Sequence, residues 1–218
     1  MSKQGYSLLV LPFVMACRLW RKVQCSLVEP LKTRILSAVW RMECAGNVRF
    51  IGKAIIRCYA RNAISIGRNV MFVSCQKRNL VGLNGPTVLC ASKGAKIEIG
   101  DDSGFSSSVI NARSSIKIGC NVKVGGNVRI FDHDFHPLDW RDRRAPEKGE
   151  NTRVKDVTIE DDVFIGTNSI ILKGTHIGAR SIVAAGSVVF GLDVPPDSLV
   201  KGNPAVVVKR KTVQDGRE

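Results

Sequence analysis

The stretch VTIEDDVFIGTNSIILKGTHIGARSIVAAGSVV, residues 157–189, repeats its character every six residues. Ile159, Ile165, Ile171, Ile177, Val183 and Val189 are all branched aliphatics. Two positions before each stand Val157, Val163, Ser169, Thr175, Ser181 and Ser187, most of them small. A strand repeats every two residues and a helix every 3.6, so neither explains this pattern. A chain that winds around short flat faces does. Each face buries one aliphatic and a tight turn redirects the backbone, so three faces close a coil of about 18 residues. Successive coils stack at about 4.8 Å, the spacing of hydrogen-bonded strands. The aliphatics then form ladders inside, with a small residue at each corner.

The same period runs through Ile118, Val124 and Ile130, and appears in fragments at Ile66–Phe72 and Ile99–Phe105. The predicted fold is therefore mainly β, a parallel β-helix over 61–210, with a helical basic segment at 1–60 and a flexible tail at 211–218. Twenty glycines and an aromatic content of only 6% agree with repetitive β structure. The period breaks once in the strong half. Ile130 and Ile159 are 29 residues apart, which is not a multiple of six. A polar loop over 131–156 must leave the coil there, and long irregular loops on regular scaffolds tend to carry function. It contains RIFDHDFHPLDW (129–140), with two of the three histidines in the chain.

The net charge is +14, and it is uneven. Residues 1–63 hold eleven Lys or Arg against Glu29 and Glu43. No nucleic-acid motif accompanies this charge, so nucleic acid is not the expected partner. The run YSLLVLPFVMAC (6–17) is far short of the ~20 apolar residues of a bilayer span. Only Lys3 precedes it, while Arg18, Arg21 and Lys22 follow, against an export signal. It reads as an N-terminal helix or interfacial anchor. Residues 26–43 read as a second helix, with Leu27, Leu31, Ile35 and Val39 on one stripe, Leu36 and Trp40 beside it, Ser26 and Glu29 as a capping box and Pro30 in the first turn. Peripheral membrane contact through residues 1–45 fits this segment, as does a solvated helical cap. The seven cysteines show no ligand spacing.

IFDHDFHPLD, the 157–189 repeat and DVPPDSLVKGNPAVVVK together resemble the hexapeptide-repeat, left-handed β-helix O-acetyltransferases. The similar groups are the maltose, galactoside, nodulation-type and surface-polysaccharide enzymes. The resemblance covers about residues 60–210 and is strongest over 116–209. It implies a left-handed helix, a homotrimer and acetyl-CoA as donor, with no metal, while the unpatterned cysteines and the basic, apolar N-terminus add the expectation of a cytoplasmic location that includes the inner membrane face. A sugar or lipid-linked saccharide is the implied acceptor. The family's catalytic histidine precedes the loop proline, which is His136 before Pro137. The family's Trp in VWIG falls on Phe164. Its small cofactor-contacting residues fall on Gly166, Thr167, Ala184 and Ala185. Lys209, with Lys201 and Arg210 nearby, takes the place of a basic residue that meets the CoA phosphate. The family's VVTKD becomes VVFGLD (188–193), so Phe190 and Gly191 replace a Thr-Lys pair.

The residues themselves suit that chemistry. A hydroxyl is a poor nucleophile at neutral pH, and an imidazole, with an ordinary pKa of about 6.5, removes its proton. The runner-up to His136 is His133, three residues earlier. Asp132 and Asp134 are candidates to orient an imidazole, Asp134 and Trp140 to meet substrate. His176 reads as structural. Other readings stay open: another acyl donor, an amine acceptor, or a γ-carbonic-anhydrase-like zinc site built from three histidines.

Overall fold

The structure, a computed structural model, describes residues 11–23, 27–144 and 152–209. From Glu43 onward the backbone coils around three parallel sheets, here the first, second and third faces in chain order. Among the described residues these faces hold seven, eight and six strands. Among the described residues the strands of successive coils pair parallel, and of the strand pairs the closing hairpin, Ser198–Gly202 with Ala205–Lys209, is antiparallel.

The register follows the six-residue repeat. Ile99, Ile118, Ile159, Ile177 and Val194 stack inside the first face. Val124, Ile165, Val183 and Val200 do so in the second, and Ile110, Ile130, Ile171 and Val189 in the third. All are buried. At the lower end of the second face the ladder is aromatic. Phe50, Phe72 and Phe105 stack with centroids 4.7 and 4.8 Å apart. The coil spacing is itself a ring-stacking distance, so flat rings continue the ladder without distorting it.

The solenoid begins earlier than the expected boundary at 61. Glu43–Gly46, Arg49–Ile51 and Ala54–Cys58 are already strands of the three faces. Their inward residues, Cys44, Phe50 and Ile56, keep the six-residue spacing, but a thiol and a ring conceal it from a search for Ile and Val. The corners between first and second faces explain the recurring Asn and Asp. Asn47, Asn69, Asp102, Asn121, Asp162 and Asp197 all have φ between +49° and +60°. Short side chains that bond to their own backbone tolerate this left-handed conformation.

Two helices precede the coil, α1 at Leu11–Val23 and α2 at Glu29–Trp40. α2 is shorter than the expected 26–43. Pro30 lies in its first turn, and Arg41, with φ +50°, ends it. The proposed capping residue Ser26 lies outside the described residues. Leu36 and Trp40 pack on the core, and Thr33 is buried. The stripe of Leu27, Leu31, Ile35 and Val39 points the other way, each 55–65% exposed. Its periodicity therefore marks an outward face. No helix among the described residues is long and apolar enough to cross a membrane.

Candidate functional site

The loop leaves the third face after Arg129–Phe131 and returns through a short antiparallel neck. His133 bridges Val154, the Lys155 N–H donates to the Asp132 carbonyl at 2.8 Å, and the Asp134 N–H donates to the Arg153 carbonyl at 3.0 Å. At this neck lies a fully buried carboxylate. Asp132 accepts the backbone N–H groups of Arg113 (2.8 Å) and Ser114 (2.7 Å), and His133 Nδ1 stands 2.8 Å from its Oδ1. A carboxylate only accepts, so this bond assigns a proton to Nδ1. The His133 side chain is 1% exposed. Phe135 packs on it at 4.7 Å and meets Phe131 edge-on at 5.0 Å.

His136 follows this cluster and is exposed. The sequence proposed both aspartates as orienting groups, and the structure separates them. Asp132 holds His133, while Asp134 is ion-paired with Lys173 on the next coil. The Lys173 ammonium also lies 4.8 Å above the Phe190 ring. Trp140 opens a short helix, α3 at Trp140–Arg144, and is half exposed. Arg141 and Arg144 stack on its ring at 5.1 and 4.9 Å, so those arginines and that indole form one surface. Beside the His133 pair is an open depression of about 350 Å³, with Lys93, Asn111, Arg113 and Phe135 among its walls.

The residues matched to a cofactor role lie elsewhere on the prism. Gly166 and Thr167 follow the second-face strand Phe164–Ile165, and Ala184 and Ala185 follow the strand above it, Ile182–Val183. All four therefore share the corner between second and third faces. A Cβ on Gly166 would stand 2.4 Å from the Ala185 backbone nitrogen, so only glycine lets these coils close. Phe164 faces outward, 48% exposed, between Lys123 and Ile182. Lys201 pairs with Val206 and Lys209 with Ser198, which puts the two lysines at opposite ends of the closing hairpin. Arg210 is outside the described residues.

The sequence reading missed a second loop, residues 74–86, which packs on that same corner. Asn127 ties it down, donating to the Gly82 carbonyl at 2.9 Å and accepting from the Asn84 N–H at 2.8 Å. A Cβ on Gly126 would meet Val81 Cγ1 at 2.9 Å and Thr167 Cγ2 at 3.6 Å, so Val81 reaches the small-residue corner. The signal was present: Phe72 and Leu89 are not a multiple of six apart, and LNGP (83–86) is turn chemistry.

His176 lies far along the coil on the first face. Its Nε2 stands 2.9 Å from Glu160 Oε1 and its Nδ1 2.7 Å from Asp193 Oδ1. These bonds, that to Glu160 first, raise the imidazole pKa above its ordinary 6.5. Glu160 is lowered, by His176 first and then by the Ala179 N–H. The imidazolium therefore stabilises the fold fully below about pH 6.5 and loses that effect as pH rises through its raised value. Glu160 contributes fully above about pH 4.5 and loses it as pH falls. Thermal stability is thus expected to be highest near pH 5–6, with a decline above neutrality that His176→Gln flattens. Melting curves with identical alkaline limbs in both proteins would remove His176 as the cause. Among the described residues, no group of three His, Cys, Asp or Glu side chains is arranged to hold a metal ion.

Comparison with known proteins agrees with the geometry. A family profile described as the hexapeptide repeat of succinyl-transferase matches residues 156–190. A 2,3,4,5-tetrahydropyridine-2,6-dicarboxylate N-acetyltransferase of Staphylococcus aureus is 49% identical over 63 residues, 28% of this chain and 26% of that one. The chain spans less than half the length of the curated relatives it matches. A hexapeptide-repeat acetyltransferase of Vibrio cholerae superposes with a TM-score of 0.55 at 28% identity, over 93% of this chain and 90% of that one. An N-acyltransferase of Bacillus cereus, solved with dTDP and 3-hydroxybutyryl-CoA, shares the fold with a TM-score of 0.62 at 21% identity, over 83% and 88%. The profile thus matches the six-residue repeat described above, and the Vibrio cholerae acetyltransferase shares the coiled fold over nearly its whole length.

Proposed function

We propose that the chain is an acetyl-CoA-dependent acetyltransferase that acts on a sugar hydroxyl, with His136 as general base. The observation that carries this reading is the buried Asp132–His133 pair, which anchors the neck of a loop whose next histidine is exposed. A base must touch its acceptor. His136 is reachable, whereas the His133 side chain is 1% exposed. In the reaction the hydroxyl oxygen attacks the thioester carbonyl while His136 takes its proton. Backbone N–H groups stabilise the oxyanion. Collapse breaks the carbon–sulfur bond, and the imidazolium returns the proton to the departing thiolate. A second reading, His133 as base, has one observation in its favour: a carboxylate, Asp132, orients its ring.

Gly166, Thr167, Ala184 and Ala185 form a corner without bulky side chains, which suits a donor lying against the backbone. That corner and the histidine loop sit on different edges of one prism, which supports a homotrimer whose sites are completed between chains. The outward apolar stripe of α2 and the basic first 63 residues support docking on an anionic membrane surface, where lipid-linked sugars of surface-polysaccharide assembly are made. Replacing Leu31, Ile35 and Val39 by Ser is expected to abolish sedimentation with anionic vesicles, and unchanged sedimentation would discard this docking. The enzyme reading is tested by thiol release from acetyl-CoA across neutral, charged and amino sugars. Release that depends on a sugar hydroxyl supports it. Release only with an amine moves the acceptor class, and none with any sugar removes the reading.

A further inference from the structure

We infer that Arg143 is a positioning residue for His136, a guanidinium clamp on the backbone that carries the candidate base. The inference rests on the transferase reading and adds a residue to its machinery. Arg143 Nη1 donates to the Pro137 carbonyl at 2.8 Å and to the Leu138 carbonyl at 2.7 Å. Those carbonyls belong to the two residues that follow His136. One guanidinium nitrogen carries two N–H groups, so a single planar group spans both oxygens.

The turn that brings Arg143 back is local. Asp139 precedes α3, and its Oδ1 caps the helix by accepting the Arg141 N–H at 2.8 Å. The Asp139 carbonyl accepts the Arg143 N–H at 3.2 Å. The chain thereby reverses within one turn, and the side chain at 143 returns to residues 137 and 138. The neighbouring arginines lie elsewhere, Arg141 and Arg144 both stacking on the Trp140 ring.

The backbone before His136 is held as well. The Asp134 N–H donates to the Arg153 carbonyl, the Asp134 carboxylate pairs with Lys173, and Phe135 packs on His133. Pro137 restricts the residue before it to extended conformations. His136 is exposed, so its place is set by the segments on either side of it. A general base works only within hydrogen-bond reach of the proton it removes. A misplacement of about 1 Å lowers the rate by about 10²-fold.

The test is kinetic and spectroscopic, on the full chain. Thiol release from acetyl-CoA is followed with glucose, glucuronate and glucosamine for the wild type, Arg143→Ala, His136→Ala and the double variant. Arg143→Ala is expected to lower kcat by about 10²-fold and to keep the acidic limb of kcat/KM, because the base is still present. The KM for acetyl-CoA should stay within about twofold. On the His136→Ala background the same substitution is expected to change kcat by less than about twofold, since the two residues act through one group. Arg143→Lys keeps the charge but ends one bond short, and is expected to lose about tenfold. It also serves if Arg143→Ala does not fold. The readout independent of activity is the Cε1–H resonance of His136, expected to move to the position of an unstructured histidine in Arg143→Ala. A wild-type kcat in Arg143→Ala, a fully additive loss on the His136→Ala background, or an unmoved resonance would each overturn the clamp. A moved resonance without thiol release by the wild type on any of the three sugars would uphold the clamp and remove the transferase reading instead.

Discussion

His136→Ala is expected to lower kcat for acetyl transfer by about 10²–10⁴-fold, the usual contribution of a positioned general base. The melting temperature should hardly move, because His136 is exposed and outside the buried cluster. Substitutions at Asp132 should show the opposite balance. Asp132→Asn replaces a buried acceptor of three hydrogen bonds by an amide with one acceptor oxygen. It is expected to cost about 1–3 kcal/mol of stability, measured by urea denaturation, because a buried donor loses its partner. The activity of that variant falls through the loop that its neck no longer holds. His133→Ala separates the two candidate bases. If it retains the fold and loses 10²-fold or more in kcat while His136→Ala stays within about threefold, the roles are exchanged and His133 is the base. The pH profile adds an independent readout, since only loss of the base itself removes the acidic limb of kcat/KM.

The second large effect is on folding. Ile171→Lys places an ammonium group inside the third-face ladder, between Ile130 and Val189 on the adjacent coils. Ile171 is 0% exposed, and its inward neighbours are aliphatic. An unpaired buried charge costs several kcal/mol, against a total stability of about 5–15 kcal/mol for a whole domain. The variant is expected to be insoluble, or to lack a cooperative melting transition. A soluble Ile171→Lys protein with a sharp transition near that of the wild type would refute the register. Ile170→Lys is the control. Ile170 pairs with Arg129 on the outside of the same face, where a charge already stands, so little change is expected.

The register was legible because one inward aliphatic per six residues is a one-dimensional property, and parallel coils stack it without further information. Cys44, Phe50 and Ile56 were not read as coil, since they keep the spacing but change the residue type. The helical stripe of α2 was legible as a stripe and no further. Periodicity shows that apolar residues share a face, but only the packing of Leu36 and Trp40 shows which face is covered. The broken period located the histidine loop, and the family resemblance, through the histidine before the loop proline, implied His136. Neither separates the duties of Asp132 and Asp134, which depend on backbone N–H groups of Arg113 and Ser114, a coil away in space.

By itself, then, the amino-acid order determined the coil, its inward ladder and the place where the chain leaves it. These follow from local spacing and from the burial of aliphatic side chains. Tertiary structure alone decided that Asp132 holds His133 while Asp134 turns to Lys173. It also decided that the 74–86 loop packs on Gly126 and Asn127, one coil from the small-residue corner, and that Lys93 and Arg113 come to one wall. Those outcomes join residues from different coils, and each coil brings together positions that lie far apart in sequence.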